Sequence, residues 1–206
     1  MVGAYLGFLA LVALQRMSEL ALSRRNARWA RACGGVEVGQ RHYPFMKLLH
    51  TSFLIGCAVE AVVFDRAFDT SLAVASLLVV VGCQAVRWWT IRALGPYWNT
   101  RVLVVPGAHA VTAGPYRWLK HPNYAVVVLE GIAIPMIAGA WITALAFTLA
   151  NALLLRTRIR CEEAALSAGT DYAAQMRGRG SLLPRPQHDT SREPEKAAGA
   201  MVGGKP

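Results

Sequence analysis

The chain has 206 residues, of which 54% are hydrophobic and 17% charged, with a formal net charge of +10. Long uncharged runs in so apolar a chain exclude an ordinary soluble domain and point to a multi-span membrane protein. The positive charge suggests nucleic acid only until its distribution is examined. Residues 23 to 47 carry Arg24, Arg25, Arg28, Arg31, Arg41 and Lys47 against Glu37 alone, and residues 92 to 123 carry Arg92, Arg101, Arg117 and Lys120 with no acid. The intervening turn, 65 to 70, holds only Asp65, Arg66 and Asp69. That alternation is the positive-inside pattern and requires no nucleic acid partner.

In chain order, residues 2 to 22 read as span 1, with Arg16 and Glu19 spaced to pair on one helix face, and 24 to 31 as its basic cytoplasmic flank. With no basic residues ahead of the apolar run and no convincing cleavage site, this start reads as a retained span rather than a signal peptide. Residues 32 to 44, with Gly34-Gly35, Gly39 and Pro44, form a loop; span 2 covers roughly 45 to 64 and contains His50 and Glu60. For these two a structural role is preferred, because nothing local pairs with them. Residues 65 to 70 make an outer turn, and span 3 runs about 71 to 91 with Gln84 and Arg87 one turn apart. Trp88, Trp89, Trp118 and Trp141 read as interface anchors, as does Trp98, which could also border a pocket.

The second cytoplasmic segment, 92 to 120, is broken by Gly95-Pro96, Pro106-Gly107 and Gly114-Pro115. Residues 121 to 155 follow, uncharged apart from Glu130. As one helix they would be about 50 Å long against a hydrocarbon core of about 30 Å. They must fold back, and Pro135-Met-Ile-Ala-Gly139 supplies the bend, giving two helices of about 16 residues, short for spans. Residues 156 to 177 continue as a helix leaving the membrane, and from 184 the composition predicts disorder. The expected architecture is all-α with about five transmembrane helices, N-terminus outside and C-terminus inside. It divides into N-terminal spans at 1–69, a core at 70–186 and a tail at 187–206. Cys33, Cys57, Cys83 and Cys161 show no C-x-x-C pairing and read as structural thiols, and no metal site is indicated.

Two polar stretches carry the chemistry. The first is Val111-Thr-Ala-Gly-Pro-Tyr-Arg-Trp-Leu-Lys-His-Pro-Asn-Tyr124, whose prolines free backbone groups to meet a ligand. In the second, Arg158-Ile-Arg-Cys-Glu-Glu-Ala-Ala-Leu166, helical spacing stacks Asn151, Arg158 and Glu162 in one stripe. Taken alone that stripe is a solvated i, i+4 pair. Together, Gly114, Pro115, Tyr116, His121, Pro122, Asn123 and Tyr124, then Arg158, Ile159, Glu162, Glu163, Leu166 and Tyr172, resemble the isoprenylcysteine carboxyl methyltransferase and phospholipid methyltransferase superfamily. The resemblance covers about residues 70 to 186. It departs at Lys120, where the family usually has arginine, so a bidentate role there is lost. The segment between Leu166 and Tyr172 is slightly shorter than usual.

The resemblance implies an S-adenosylmethionine-dependent methyltransferase whose cofactor pocket lies at the cytoplasmic face without a Rossmann domain. The absence of G-x-G-x-x-G agrees. It also implies that the backbone at Ala108, His109, Ala110 and Val111, with Tyr116, His121, Pro122, Asn123, Tyr124 and Glu162, holds the cofactor, and that Arg158 faces the acceptor. A carboxylate suits the cofactor's ammonium group, and a permanent cation suits an oxyanion acceptor. Glu130 is seven residues beyond Asn123, on nearly the same face and about 10 Å deeper. It is either a general base, its pKa raised by burial, or a structural partner of Arg87. Arg25-Asn26, Gly39 to Pro44, His50 and Glu60 resemble bacterial members acting beside type III polyketide synthases, which O-methylate long-chain alkylpyrones or alkylresorcinols. The partners implied are the membrane and a lipophilic small-molecule or lipid acceptor. N-methylation of a phospholipid amine, or a non-catalytic protein retaining the fold, are the alternatives.

Overall fold

A computed structural model describes residues 2–64 and 69–185. Five helices are joined by short irregular segments and one two-stranded ribbon. They are α1 (Val2–Ala32), α2 (Tyr43–Val63), α3 (Thr70–Leu94), α4 (Pro122–Met136) and α5 (Trp141–Gly169), and a single-turn α6 (Tyr172–Gln175) follows. Strands β1 (Val36–Val38) and β2 (Val102–Val104) pair antiparallel, with Glu37 opposite Leu103. The helices α1, α2, α3 and α5 are each long and apolar enough to cross a membrane, whereas α4 has 15 residues. At 1.5 Å per residue α4 spans only about 22 Å.

The exposed surface of these helices is apolar, with Leu11, Leu14, Leu78 and Leu153 all more than half exposed, as expected of side chains facing lipid. The helix core is formed by Tyr5, Leu9 and Val12 of α1, Phe53 and Cys57 of α2, Val80 of α3, Ala133 and Ile134 of α4, and Phe147 of α5. Gly131 is required in this core, because a Cβ there would lie 2.4 Å from the Phe147 ring. The Tyr5 hydroxyl donates to the Ile134 carbonyl at 3.1 Å, one of the acceptors left open where α4 ends.

The fold-back falls where the sequence places it. Pro135 lies in the last turn of α4, and Gly139 takes φ +66°, a conformation that disfavours any side chain. On the far side of the turn, the α2 residue Glu60 receives the exposed amides of α5. Its carboxylate accepts from the backbone N–H of Ile142 at 3.1 Å and of Thr143 at 2.7 Å, and from the Thr143 hydroxyl at 2.7 Å. Glu60 thus does the work of an N-cap from another helix, a partner that sequence neighbours could not reveal. The Nδ1 of His50 lies 2.8 Å from the Met46 carbonyl within α2.

Three boundaries differ from the sequence expectation. Helix α1 does not stop at 22 but runs to Ala32, because the basic flank keeps helical geometry with Ser23, Asn26, Ala27 and Ala30 buried along one side. The loop expected at 32 to 44 and the segment 92 to 120 exchange backbone hydrogen bonds through β1 and β2, two valine-rich triplets too short to register as strands. Helix α5 is continuous from Trp141 through the polar stripe but ends at Gly169, where Thr170 turns extended, instead of running to 177. The outer-turn residues Asp65 and Arg66, and all but residues 184 and 185 of the stretch expected to be disordered from 184, lie outside the described residues. Asp69 is described, and its Oδ1 caps α3 by accepting from the N–H of Ser71 at 2.9 Å and of Leu72 at 3.1 Å.

Candidate functional site

Strand β2, the segment 94–124, the last turns of α5 and the α6 segment surround a cleft that is partly open to solvent. Among its lining residues are Ala108, His109, Ala110, Val111, Tyr116, His121, Asn123, Tyr124 and Glu162, nine of the positions expected to hold a cofactor. The remaining one, Pro122, is fully buried in the first turn of α4 beside them. Chain breaks explain how distant stretches converge. Gly114 takes φ +61° and packs within contact distance of Trp89 and Ala93, which turns the chain into a single 3-10 turn, Gly114–Arg117, and buries Tyr116. His121 then departs from helical geometry, and Pro122 starts α4.

A polar group on the cleft wall is built on α4 and α5. Tyr124 donates a short hydrogen bond from its hydroxyl to Glu162, and Arg158 Nε donates to the same hydroxyl at 2.7 Å. His121, buried and stacked on Tyr124, places Nε2 2.9 Å from Glu163, and Lys120 Nζ lies 3.8 Å from that carboxylate. Beside this polar group lies an apolar one: Tyr116, Tyr172 and Met176 pack with Leu94, Ala110, Val111 and Leu166. Burial, reinforced by nearby Glu162, raises the pKa of the Tyr116 phenol and keeps it neutral. Burial likewise raises that of Tyr172, whose hydroxyl has no hydrogen-bond partner among the described residues.

Two of the expected residues take positions that change their reading. Arg158, expected to face an acceptor, lies behind Tyr124. Its Nη2 donates to the Thr100 carbonyl at 2.5 Å and its Nη1 approaches Met46 Sδ at 3.2 Å, so it acts on the cleft through Tyr124. Glu130 adopts the pairing alternative. Its carboxylate engages Arg87 through a short contact and Arg16 at 2.9 Å, and it accepts from Gln84 at 2.8 Å. Glu19 completes this buried cluster with Arg16 at 2.7 Å and Arg87 at 3.5 Å. From the cluster, Arg87 Nη1 donates at 3.4 Å to Asn123, which also lines the cleft.

His109 enters the site through its backbone, its side chain being largely exposed. Asp171 holds that segment: its carboxylate accepts from the Ala110 N–H at 2.6 Å and sits 3.0 Å from His109 Nδ1, contacts that hold its carboxyl below the usual range. Behind the cleft, α1 supplies parts that the sequence reading assigned only to a basic flank. Asn26 donates to the carbonyls of Trp98 at 2.7 Å and Gly95 at 3.2 Å, and the Thr100 N–H donates to Ser23 Oγ at 3.0 Å. Trp98 is thereby a buried wall of the cleft and not an interface anchor. Glu37 of β1 binds Arg31 at 2.7 Å and Arg101 at 2.6 Å; burial opposes its ionisation, but these two hydrogen bonds prevail and lower its pKa. The signal for Ser23 and Asn26 was a stripe of small residues at 23, 26, 27 and 30 inside a basic segment, which indicates close packing.

The fold and site define an integral-membrane helical protein carrying a cleft with a polar group on its wall at one end of its spans. The family model described as the isoprenylcysteine carboxyl methyltransferase (ICMT) family matches residues 74–168. An uncharacterized protein, YpbQ, of Bacillus subtilis is 40% identical over 158 residues, covering 77% of this chain and 94% of that protein. An uncharacterized protein of Haemophilus influenzae is 24% identical over 153 residues, covering 74% of this chain and 88% of that one. The chain belongs to the isoprenylcysteine carboxyl methyltransferase family, a family of membrane methyltransferases.

Proposed function

We propose that this protein is an S-adenosylmethionine-dependent O-methyltransferase acting on a lipophilic acceptor, with the cleft opening to the cytoplasm and the N-terminus outside. The observation that carries the reading is the division of the cleft. Glu162, Tyr124, His121 and Lys120 form a polar group on its wall, and Tyr116, Met176, Leu94 and Leu166 an apolar group beside it. An amino acid joined to a nucleoside has the same division, and the residues present fit it. Glu162 would meet the ammonium group, a charge-assisted contact, while the aromatic and aliphatic group would cover the base. When bound, the cofactor supplies an electrophilic methyl group. The chain's own residues bind and orient: Arg158 fixes the Tyr124 hydroxyl, Tyr124 fixes Glu162, and Asn123 is tied to Arg87. Positioning of this kind is the main contribution such a site makes to a displacement.

The acceptor is a long-chain alkylpyrone or alkylresorcinol or a prenylcysteine-type carboxylate, since a ring or carboxylate oxygen with an apolar tail suits a cleft at the end of lipid-facing helices. The cation Lys120 on the cleft wall, with Arg158 behind Tyr124, favours an oxyanion over an already charged amine. The test is binding of S-adenosylhomocysteine to the purified protein in detergent, followed by transfer of labelled methyl into extracted lipids. The expected result is saturable binding and a product heavier by one methyl on oxygen. A methylated phospholipid amine would replace the acceptor class, and binding without any labelled product would support the non-catalytic alternative.

A further inference from the structure

Two polar side chains between α2 and α5 keep hydrogen-bonding groups that have no partner among the described residues. Asn151 is 4% exposed, and its side-chain amide bonds to none of them. His50 donates from Nδ1 to the Met46 carbonyl at 2.8 Å, since a carbonyl can only accept. In the neutral ring Nε2 then carries the lone pair, and it too is without a partner among the described residues. An unmet buried amide is costly, and native structures keep few of them. The Tyr172 hydroxyl and Arg87 Nε are closed in on all sides, whereas neither of these two groups is sealed.

Contacts on both helices fix where the pair sits. On α5, Phe147 meets the His50 ring edge to face at 5.4 Å, and Arg158 Nη1 reaches Met46 Sδ, one turn before His50. Asn151 lies between Phe147 and Arg158 on the same line of α5, so it is directed at the 46–50 stretch of α2. The preceding residues, Leu49 and Ala150, line one apolar groove with Phe45, Leu153, Leu154 and Thr157, which puts His50 and Asn151 at a common depth. That groove is on the lipid side, with Phe45 and Leu153 more than half exposed. Arg158 joins this space to the cleft, because its Nε holds Tyr124 of the cleft wall.

We propose that His50 and Asn151 recognise the polar head of the acceptor, an uncharged ring hydroxyl whose apolar tail lies in the groove between α2 and α5. This rests on the lipophilic-acceptor reading above and chooses between its two acceptor classes. A neutral hydroxyl satisfies both groups at once, donating to His50 Nε2 and accepting from the Asn151 amide. A carboxylate has no proton for Nε2, and the nearby cations are engaged already, Arg16 and Arg87 by Glu130 and Arg158 by Tyr124 and Thr100. An apolar groove beside two polar groups has the division of such an amphiphile. His50 lies outside the 74–168 match to the family model, so α2 adds a selecting residue that the matched region does not contain.

The experiment uses the full chain in detergent, as wild type, Asn151→Leu and His50→Phe. The readouts are binding of labelled pentadecylphenol, its displacement by pentadecylbenzene and by palmitate, and thermal unfolding without ligand. Leucine removes the amide at similar volume, and phenylalanine keeps a ring against Phe147. Wild type should bind the phenol about tenfold more tightly than pentadecylbenzene, and each variant should lose about three- to tenfold for the phenol alone, the range of one net hydrogen bond. Ligand-free Asn151→Leu should unfold at the wild-type temperature or above it; unfolding several degrees lower would reveal an internal partner and overturn the assignment. Equal wild-type affinities for phenol and pentadecylbenzene, equal losses for both in a variant, or tighter binding of palmitate would also overturn it. If His50→Phe does not fold, Asn151→Leu decides by itself. Binding of S-adenosylhomocysteine to wild type is measured separately. Its failure alongside the expected phenol selectivity would overturn the cofactor reading and leave the head-group site supported.

Discussion

Two buried charged groups, whose α4 members Tyr124 and Glu130 are six residues and about 9 Å apart, are built on opposite plans. In the first, Arg16 and Arg87 face Glu19 and Glu130, with Gln15 and Gln84 filling further positions, so each carboxylate is met by both arginines and by an amide. In the second, Arg158, Tyr124 and Glu162 form a chain whose last member lines an open cleft. The closed group joins α1, α3 and α4 and leaves no carboxylate available to a ligand. The open group keeps one carboxylate at a surface where a ligand can pair with it. Both are legible as "ionisable residues in an apolar chain", and only their partners separate a fastening from a site.

The contrast can be broken most directly by removing one carboxylate from each. Glu130→Ala leaves Arg87 buried without its closest counter-charge and should cost about 3–5 kcal/mol of stability, seen as loss of folded protein in detergent. Glu130→Gln should lose part of that, while the folded fraction keeps its methyl transfer. Full stability and full cofactor binding with no turnover would instead restore Glu130 as a base. Glu162→Ala should behave oppositely, with thermal unfolding shifted by no more than a few degrees and cofactor affinity reduced on the order of a hundredfold, as for loss of a charge-assisted contact. Tyr124→Phe sharpens the comparison by cutting the open chain in its middle. Affinity should drop about tenfold, and Arg158→Ala in the same background should add little, because the two act as one unit.

Smaller effects are expected in the supports. Asn26→Ala should lower stability by about 1–2 kcal/mol by freeing the Trp98 carbonyl, with a modest rise in cofactor dissociation constant. The Glu37 link has a defined pH sign. Its folded pKa is lowered, so the stability it contributes is complete above the unfolded glutamate value of about 4.3 and is lost as pH falls through the folded value. Glu37→Gln should therefore lower stability near neutrality, leave it little changed below the folded value, and so flatten the acid side of the profile.

What the sequence revealed follows the same division. The spans, the fold-back at Pro135 to Gly139 and the convergence of 111–124 with Glu162 were all legible, because hydropathy and proline or glycine punctuation are local signals. The placement of Arg158 behind Tyr124 was not, since helical spacing fixes a face and does not tell whether another side chain stands in front of it. The pairing of Glu37 with Arg31 and Arg101 depends on a ribbon of two three-residue strands separated by more than sixty positions, below the length at which alternation carries information. Ser23 and Asn26 were hidden in a run whose arginines accounted for it fully. Glu60 was read as structural for want of a nearby partner, and its partner turned out to be the start of a helix more than eighty residues on.

That last contact makes α5 a depth gauge. Glu60 grips the helix at Thr143, and Glu162 is nineteen residues further along the same uninterrupted rod, about 28 Å away, close to the thickness of a bilayer's hydrocarbon layer of about 30 Å. Fixing one end at one boundary therefore sets the carboxylate at the other. Deleting a single residue between them would lower Glu162 by about 1.5 Å and swing it about 100° around the helix, away from Tyr124. The lipid-facing residues between them, such as Leu149 and Leu153, can vary in kind, but the number of intervening residues is part of the site.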